Sequence, residues 1–147
     1  MATIKWRKNL SVGIMRIDLH NQHLLRLLHG LHEALRKGCD KADLKFDFAE
    51  LVDYSVFHFA CEEIWMSRTH YRQVMEHEED HKRIILRLCK LYKDLQNGCD
   101  LTLRELSTLI TLLIIHFKEF DASFGRFVLE NKLSTTLMAP VPRHKYF

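Results

Sequence analysis

The sequence predicts an all-α protein: an up-down-up-down antiparallel four-helix bundle with an N-terminal arm and a C-terminal tail. Apolar residues recur at helical spacing in four long segments. Glycine and proline are rare, five and two, and Pro140 and Pro142 both fall close to the end, so nothing interrupts long helices before them. Only a few residues separate the segments, and long helices joined that tightly run antiparallel to their neighbours.

The first helix is expected over about 18–37, where Leu24, Leu27, Leu28, Leu31 and Leu35 share a face and Gly38 stands at the position of a C-terminal cap. The second, about 42–67, begins near the capping candidates Asp40 and Asp43 and carries Phe46, Leu51, Tyr54, Phe57 and Ile64 inward. A third, about 71–96, uses Val74, Ile84, Ile85, Leu88 and Leu91, and Asn97 with Gly98 ends it. The fourth opens with Thr102 and Glu105 in capping-box spacing and runs through Leu109, Leu112 and Leu113 toward about residue 130. This divides the chain into an arm (1–17), one bundle domain (18–131) and a loosely held tail (132–147).

At 147 residues there is room for one domain with a real core. Apolar residues at 47% and charged residues at 28% are the balance of a folded globular chain. The net charge of +3 comes from scattered Lys and Arg interleaved with Asp and Glu, which argues against a nucleic-acid partner. No apolar run reaches the roughly 18 residues of a membrane span, and the first ten residues lack the apolar stretch of a secretion signal, so a cytoplasmic protein is expected. Cys39, Cys61, Cys89 and Cys99 form no CxxC pair and are expected as reduced thiols, none of them a ligand.

Ten histidines are the compositional oddity, and their placement carries chemistry. His58 and Glu62, and again His77 and His81, are four apart, so each pair leaves one helix face. His116 and Asp121 are five apart and splay by roughly 140° on an ideal α-helix, which a carboxylate reaching sideways as a bridge would tolerate. Any one such pair is usually a solvated face. Three on three helices, at comparable heights in an antiparallel bundle, would bury six polar groups at high cost unless they hold metal. Imidazoles mixed with carboxylates suit iron, manganese or zinc, and two bridging carboxylates favour two metals. His29, His32, His70 and His144 have no partner at ligating spacing and are expected at the surface or behind the ligands.

As an ordered set, Trp6, Val12-Gly13-Ile14, Ile17-Asp18, His58-Phe59-Ala60-Cys61-Glu62-Glu63, Met66, Tyr71, His77, His81 and His116 through Asp121 resembles the hemerythrin family, in particular its single-domain bacteriohemerythrins. The resemblance spans Trp6 to Phe124. The family includes myohemerythrin, a standard case of the up-and-down bundle, so the architecture is part of what the resemblance implies. It implies two non-haem irons joined by a bridging oxo or hydroxo group, with dioxygen as ligand and partner, in a monomer or weak oligomer. His77, His81 and His116 would serve one iron, Glu62 and Asp121 would bridge, and His58 would serve the second. Leu112 and Ile115 would wall the pocket against water.

The family carries a further histidine three residues after Asp18, and here that residue is Asn21. His20, near the centre of the leucine stripe, and His23, at its edge but preceded by the family-like Asn21-Gln22, are the two candidate replacements, and both stand. Leu112 stands where many relatives have Trp, which implies a looser wall. The implied function is reversible dioxygen binding as carrier, store or sensor, not catalysis. A di-iron oxidase, peroxidase or nitric oxide-handling enzyme, or an iron-responsive regulatory module, is the alternative that the altered position raises.

Overall fold

The computed structural model describes residues 5–143, so His144 lies outside the described part. Among the described residues there are helices and no strands: α1 Met15–Lys37, α2 Lys41–Arg68, α3 Val74–Gln96, α4 Leu103–His116 and α5 Ala122–Glu130. A π-helical turn, Phe117–Asp121, joins α4 to α5 into one rod, so the fold is the expected four-rod antiparallel bundle. Short 3-10 turns lie at Lys8–Leu10 and Thr135–Met138. No helix among the described residues is long and apolar enough to cross a membrane.

Local chemistry explains most rod ends. Gly38 takes a left-handed conformation at φ 71°, which lets the Gly38 and Cys39 N–H groups bond back to the Leu35 and Ala34 carbonyls. The Asp40 carboxylate accepts from the Ala42 N–H at the start of α2. Thr102 and Glu105 form the reciprocal capping box at the start of α4, a device worth about 1 kcal/mol. Two starts differ from the sequence reading. α1 begins at Met15, so Asp18 lies in its first turn and accepts from the Val12 N–H at 2.9 Å and the Ser11 hydroxyl at 2.5 Å. α3 begins at Val74, and Tyr71 instead packs its ring against Phe124 and Phe127.

The core has two apolar parts. One gathers Leu24, Leu28, Phe48, Leu51, Leu88 and Leu109; the other gathers Ile17, Trp65, Met66, Phe124, Val128 and Met138. On every rod the buried polar residues fall between them: Asn21 between Ile17 and Leu24, His58 and Glu62 around the Phe59–Cys61 junction, His77 and His81 before Ile84, and His116 and Asp121 between Leu113 and Phe124. A polar layer thus crosses the bundle between two dry layers.

Three expectations need correction. Phe46 is 77% exposed, because the inward line of α2 runs through Leu44, Phe48 and Leu51. Ile115 is 49% exposed, and Leu112, half-buried, lines a shallow outer groove with Arg83, Leu86 and Arg87, so neither walls the polar layer. The described part of the tail packs on the bundle: Met138 is buried, the Trp65 indole N–H donates to the Ala139 carbonyl at 3.1 Å, and Arg143 pairs with Glu50 at 3.2 Å. The arm is held as closely, for a Cβ at Gly125 would collide with the Val12 carbonyl oxygen.

Candidate metal centre

Five side chains from three rods converge in the polar layer. Glu62, His77, His81, His116 and Asp121 each offer a ligand-type atom, all within 4.8 Å of one another and all buried. The π-helical turn makes this possible on the fourth rod. Widening the helix at Phe117–Asp121, where the Ala122 N–H bonds to the Phe117 carbonyl five residues back, brings His116 and Asp121 onto one face. The backbone therefore does what the sequence reading assigned to a sideways-reaching carboxylate, and Asp121 Oδ1 lies 3.0 Å from His116 Nε2.

Each carboxylate divides its two oxygens between two sides of the site. Glu62 Oε2 faces three imidazoles, with Nε2 of His81 at 2.8 Å, of His77 at 3.2 Å and of His116 at 3.7 Å. Its Oε1 faces, among the described residues, His58 Nε2 at 2.9 Å. Asp121 Oδ1 faces His77 at 3.2 Å as well as His116, while its Oδ2 accepts from Asn21 Nδ2 at 2.9 Å. One side of the site is thus rich in imidazole. The other has His58 and a carboxamide.

Residues behind the imidazoles differ in the same sense. His116 Nδ1 meets Asp80 Oδ2 at 2.7 Å, and His81 Nδ1 meets Glu63 Oε1 at 2.9 Å. His58 Nδ1 instead meets another imidazole, His20 Nδ1, at 2.9 Å. Aromatic rings close the layer: Phe59 stacks on His81 at 4.1 Å and Phe120 on His116 at 5.5 Å, while His20 lies among Tyr54, Phe57 and Trp65. These rings, not Leu112 and Ile115, pack around the layer.

Burial opposes charge here, yet charge wins where opposite groups crowd together. Burial would raise the Glu62 carboxyl, but His58, His116 and His77 hold it well below its ordinary range. Burial would likewise lower His77, and the Asp121 and Glu62 carboxylates lift it to about 9; Asp121, Asp80 and Glu62 lift His116 well above its ordinary value. Asp121, disfavoured by burial and by Glu62, is still held low by His116 and His77. His20 moves the other way, down to about 4, through burial and the neighbouring His58.

These residues fit a metal. His58 Nε2, Glu62 Oε1, His116 Nε2 and Asp121 Oδ1 are buried and have no hydrogen-bond partner of proper geometry, although each has an opposite-natured atom nearby. Buried polar atoms are rarely left so, and these four, converging beside the bonds from His77 and His81 to Glu62 Oε2, suit a cation between them.

The sequence-predicted residues separate into groups. The structure gathers His58, Glu62, His77, His81, His116 and Asp121 into one layer. His20 lies behind His58, and His23 points away, its ring 4.2 Å from Tyr54, so neither reaches the carboxylates. Asn21 takes that place because Ile17 and Leu25 join the buried line of α1 while Leu27 is only half-buried, which turns the inward face past His20. His29 and His70 are exposed and His32 is half-buried. Sequence reasoning missed Asp80 and gave Glu63 no role. Within the run Glu78-Glu79-Asp80-His81 nothing marks which acid turns inward, although Asp80, three after His77, is on the buried side.

A four-helix bundle that turns imidazoles and carboxylates from facing rods into its core defines a metal-binding bundle protein. The chain belongs to the hemerythrin family, since the model of the hemerythrin HHE cation binding domain matches residues 12–127. It is 30% identical over 124 residues to a bacteriohemerythrin of Pseudomonas aeruginosa, covering 84% of this chain and 80% of that one. A bacteriohemerythrin of Stenotrophomonas maltophilia is 30% identical over 126 residues, with 85% and 81% covered, and one of Clostridium acetobutylicum is 26% identical over 124 residues, with 81% and 96% covered. A crystal structure of a point mutant superposes with a TM-score of 0.80 at 20% identity, covering 85% of this chain and 96% of that one, which speaks to the fold.

Proposed function

We propose that this chain holds two non-haem irons in the polar layer and binds dioxygen reversibly, as a carrier, store or sensor. The observation that carries the reading is the division of each bridging carboxylate's oxygens between two sides of one buried layer. His77, His81 and His116 would hold one iron, His58 the other, with Glu62 and Asp121 shared. Bound iron would supply the electrons and the open coordination position that reversible dioxygen binding needs.

The protein's own residues set the conditions. Asp80 and Glu63, accepting from the Nδ1 atoms of His116 and His81, aim the Nε2 lone pairs inward and raise their donor strength. The two carboxylates offset cationic charge that the dry layer would otherwise disfavour. Phe59, Phe120 and Trp65 keep bulk water from the layer and so slow irreversible oxidation.

Iron content per chain, measured with the visible absorption of reduced protein before and after air, tests this. With ferrous iron supplied in excess, two irons and new absorption that disappears on deoxygenation are expected; irreversible bleaching, or no iron, would refute it. A second reading, a di-iron oxidase, peroxidase or nitric oxide-handling enzyme, is favoured by Asn21, which leaves the His58 side short of one nitrogen donor. Turnover of hydrogen peroxide or nitric oxide well above that of free iron would select it.

A further inference from the structure

We infer that the two metal positions are unequal by construction, one tight and one weak and exchangeable, and that the Asn21 carboxamide sets the difference. The inference rests on the metal-binding reading above and concerns what this chain's own residues do to it.

Asn21 is fully buried on α1 and its Nδ2 lies 2.9 Å from Asp121 Oδ2. A carboxylate only accepts, so the amide must present its N–H there, and its Oδ1 is turned elsewhere, buried and without a hydrogen-bond partner. The N–H therefore occupies the oxygen of Asp121 that faces away from His77 and His116. A cation on that side must compete with a bond already made, and the only replacement donor Asn21 offers is a neutral amide oxygen. Imidazole is a far better donor to iron or cobalt.

His20 reinforces the inequality. Two Nδ1 atoms 2.9 Å apart make one hydrogen bond, in which one ring donates and the other accepts. If His58 turns its Nε2 lone pair to a metal, its Nδ1 carries the proton and His20 accepts it as a neutral ring. His81 and His116 are backed by carboxylates instead, and a charged acceptor makes the ligating ring more basic. Two of the rings on the three-imidazole side thus have a charged partner behind them that His58 lacks. Because losing a supporting partner alone costs about 10–100-fold in affinity, a gap of at least about 100-fold between the two positions is expected.

The test is an anaerobic titration of the metal-free full chain with cobalt(II), followed by its visible absorption and by bound metal at equilibrium. The wild-type chain should take one equivalent tightly and a second at least about 100-fold more weakly, and Asn21→His should tighten the second while leaving the first within a few-fold. Two equivalents of equal affinity would overturn the inference and leave the metal-binding reading standing. So would an Asn21→His chain that folds but leaves the second step unchanged. No cobalt bound at all would overturn both. If Asn21→His does not fold, Asn21→Asp, which puts an anionic oxygen in nearly the same volume, takes its place and should likewise tighten the second step; a folded Asn21→Asp chain with that step unchanged would overturn the role of Asn21.

Discussion

The two sides of the polar layer share two carboxylates and differ in their other residues and in what supports them. On the side of α3 and the fourth rod, His77, His81 and His116 meet one oxygen from each carboxylate, and Asp80 and Glu63 stand behind two of the rings. On the side of α1 and α2, His58 meets the other oxygen of Glu62, a neutral ring stands behind it, and the other oxygen of Asp121 is taken by an amide. The sides therefore differ both in what points inward, three imidazoles against one imidazole and an amide, and in the charge of what stands behind the rings.

The largest expected effect would abolish the comparison. Glu62 faces all four imidazoles, so Glu62→Gln should remove metal from both sides, with an affinity loss well beyond the roughly 100-fold that supporting partners command. Equilibrium dialysis with cobalt(II) checks it, and retention of even one tight equivalent would show that Glu62 is not shared.

Next in size is pH. His77, raised to about 9, and His116, raised well above its ordinary value, hold protons in the metal-free protein that a cation must displace. Affinity on the three-imidazole side should climb as pH rises from 7 toward 9, by about tenfold per unit for each proton displaced, and then level off. The same protons favour the folded metal-free state. Because the His77 value is raised above that of the unfolded chain, its contribution is complete below about 6.5 and fades as pH passes 9. A titration that is flat between pH 7 and 9 would contradict the assignment of those protons.

Smaller changes separate the sides. Asp80→Asn should weaken the first equivalent by about 10–100-fold, since it replaces the carboxylate behind His116 with a neutral amide. His20→Phe, which keeps an aromatic ring beside Tyr54, Phe57 and Trp65, should weaken only the second equivalent, by about tenfold or less. If His20→Phe moves the first step as much as the second, the two sides are not independent.

Much of this was legible in the chain itself. Four apolar periods, Gly38, Asp40 and the Thr102–Glu105 pair determine the rods and most of their ends, because caps and periodicity are interactions within a few residues of chain. Two of the three inward pairs follow from a spacing of four residues, which an α-helix brings to one face regardless of what surrounds it. The third, His116 with Asp121, needed a widened turn that five-residue spacing alone does not announce. Phe46 misled because an isolated apolar residue does not say how far its helix is rotated; Phe48 two residues later is the one buried.

What only the tertiary structure decided are the relations between rods. Whether Asn21, His20 or His23 enters the polar layer depends on the rotation of α1 against its neighbours, which Ile17 and Leu25 fix by packing and which a projection of the leucine stripe misjudged. Which acid stands behind which ring, Asp80 behind His116 and Glu63 behind His81, depends on heights and rotations of separate helices. Sequence determines the face a side chain leaves by, because that is local geometry. The partner it meets across the core is set by how several such faces pack together, and no single segment of chain contains that arrangement.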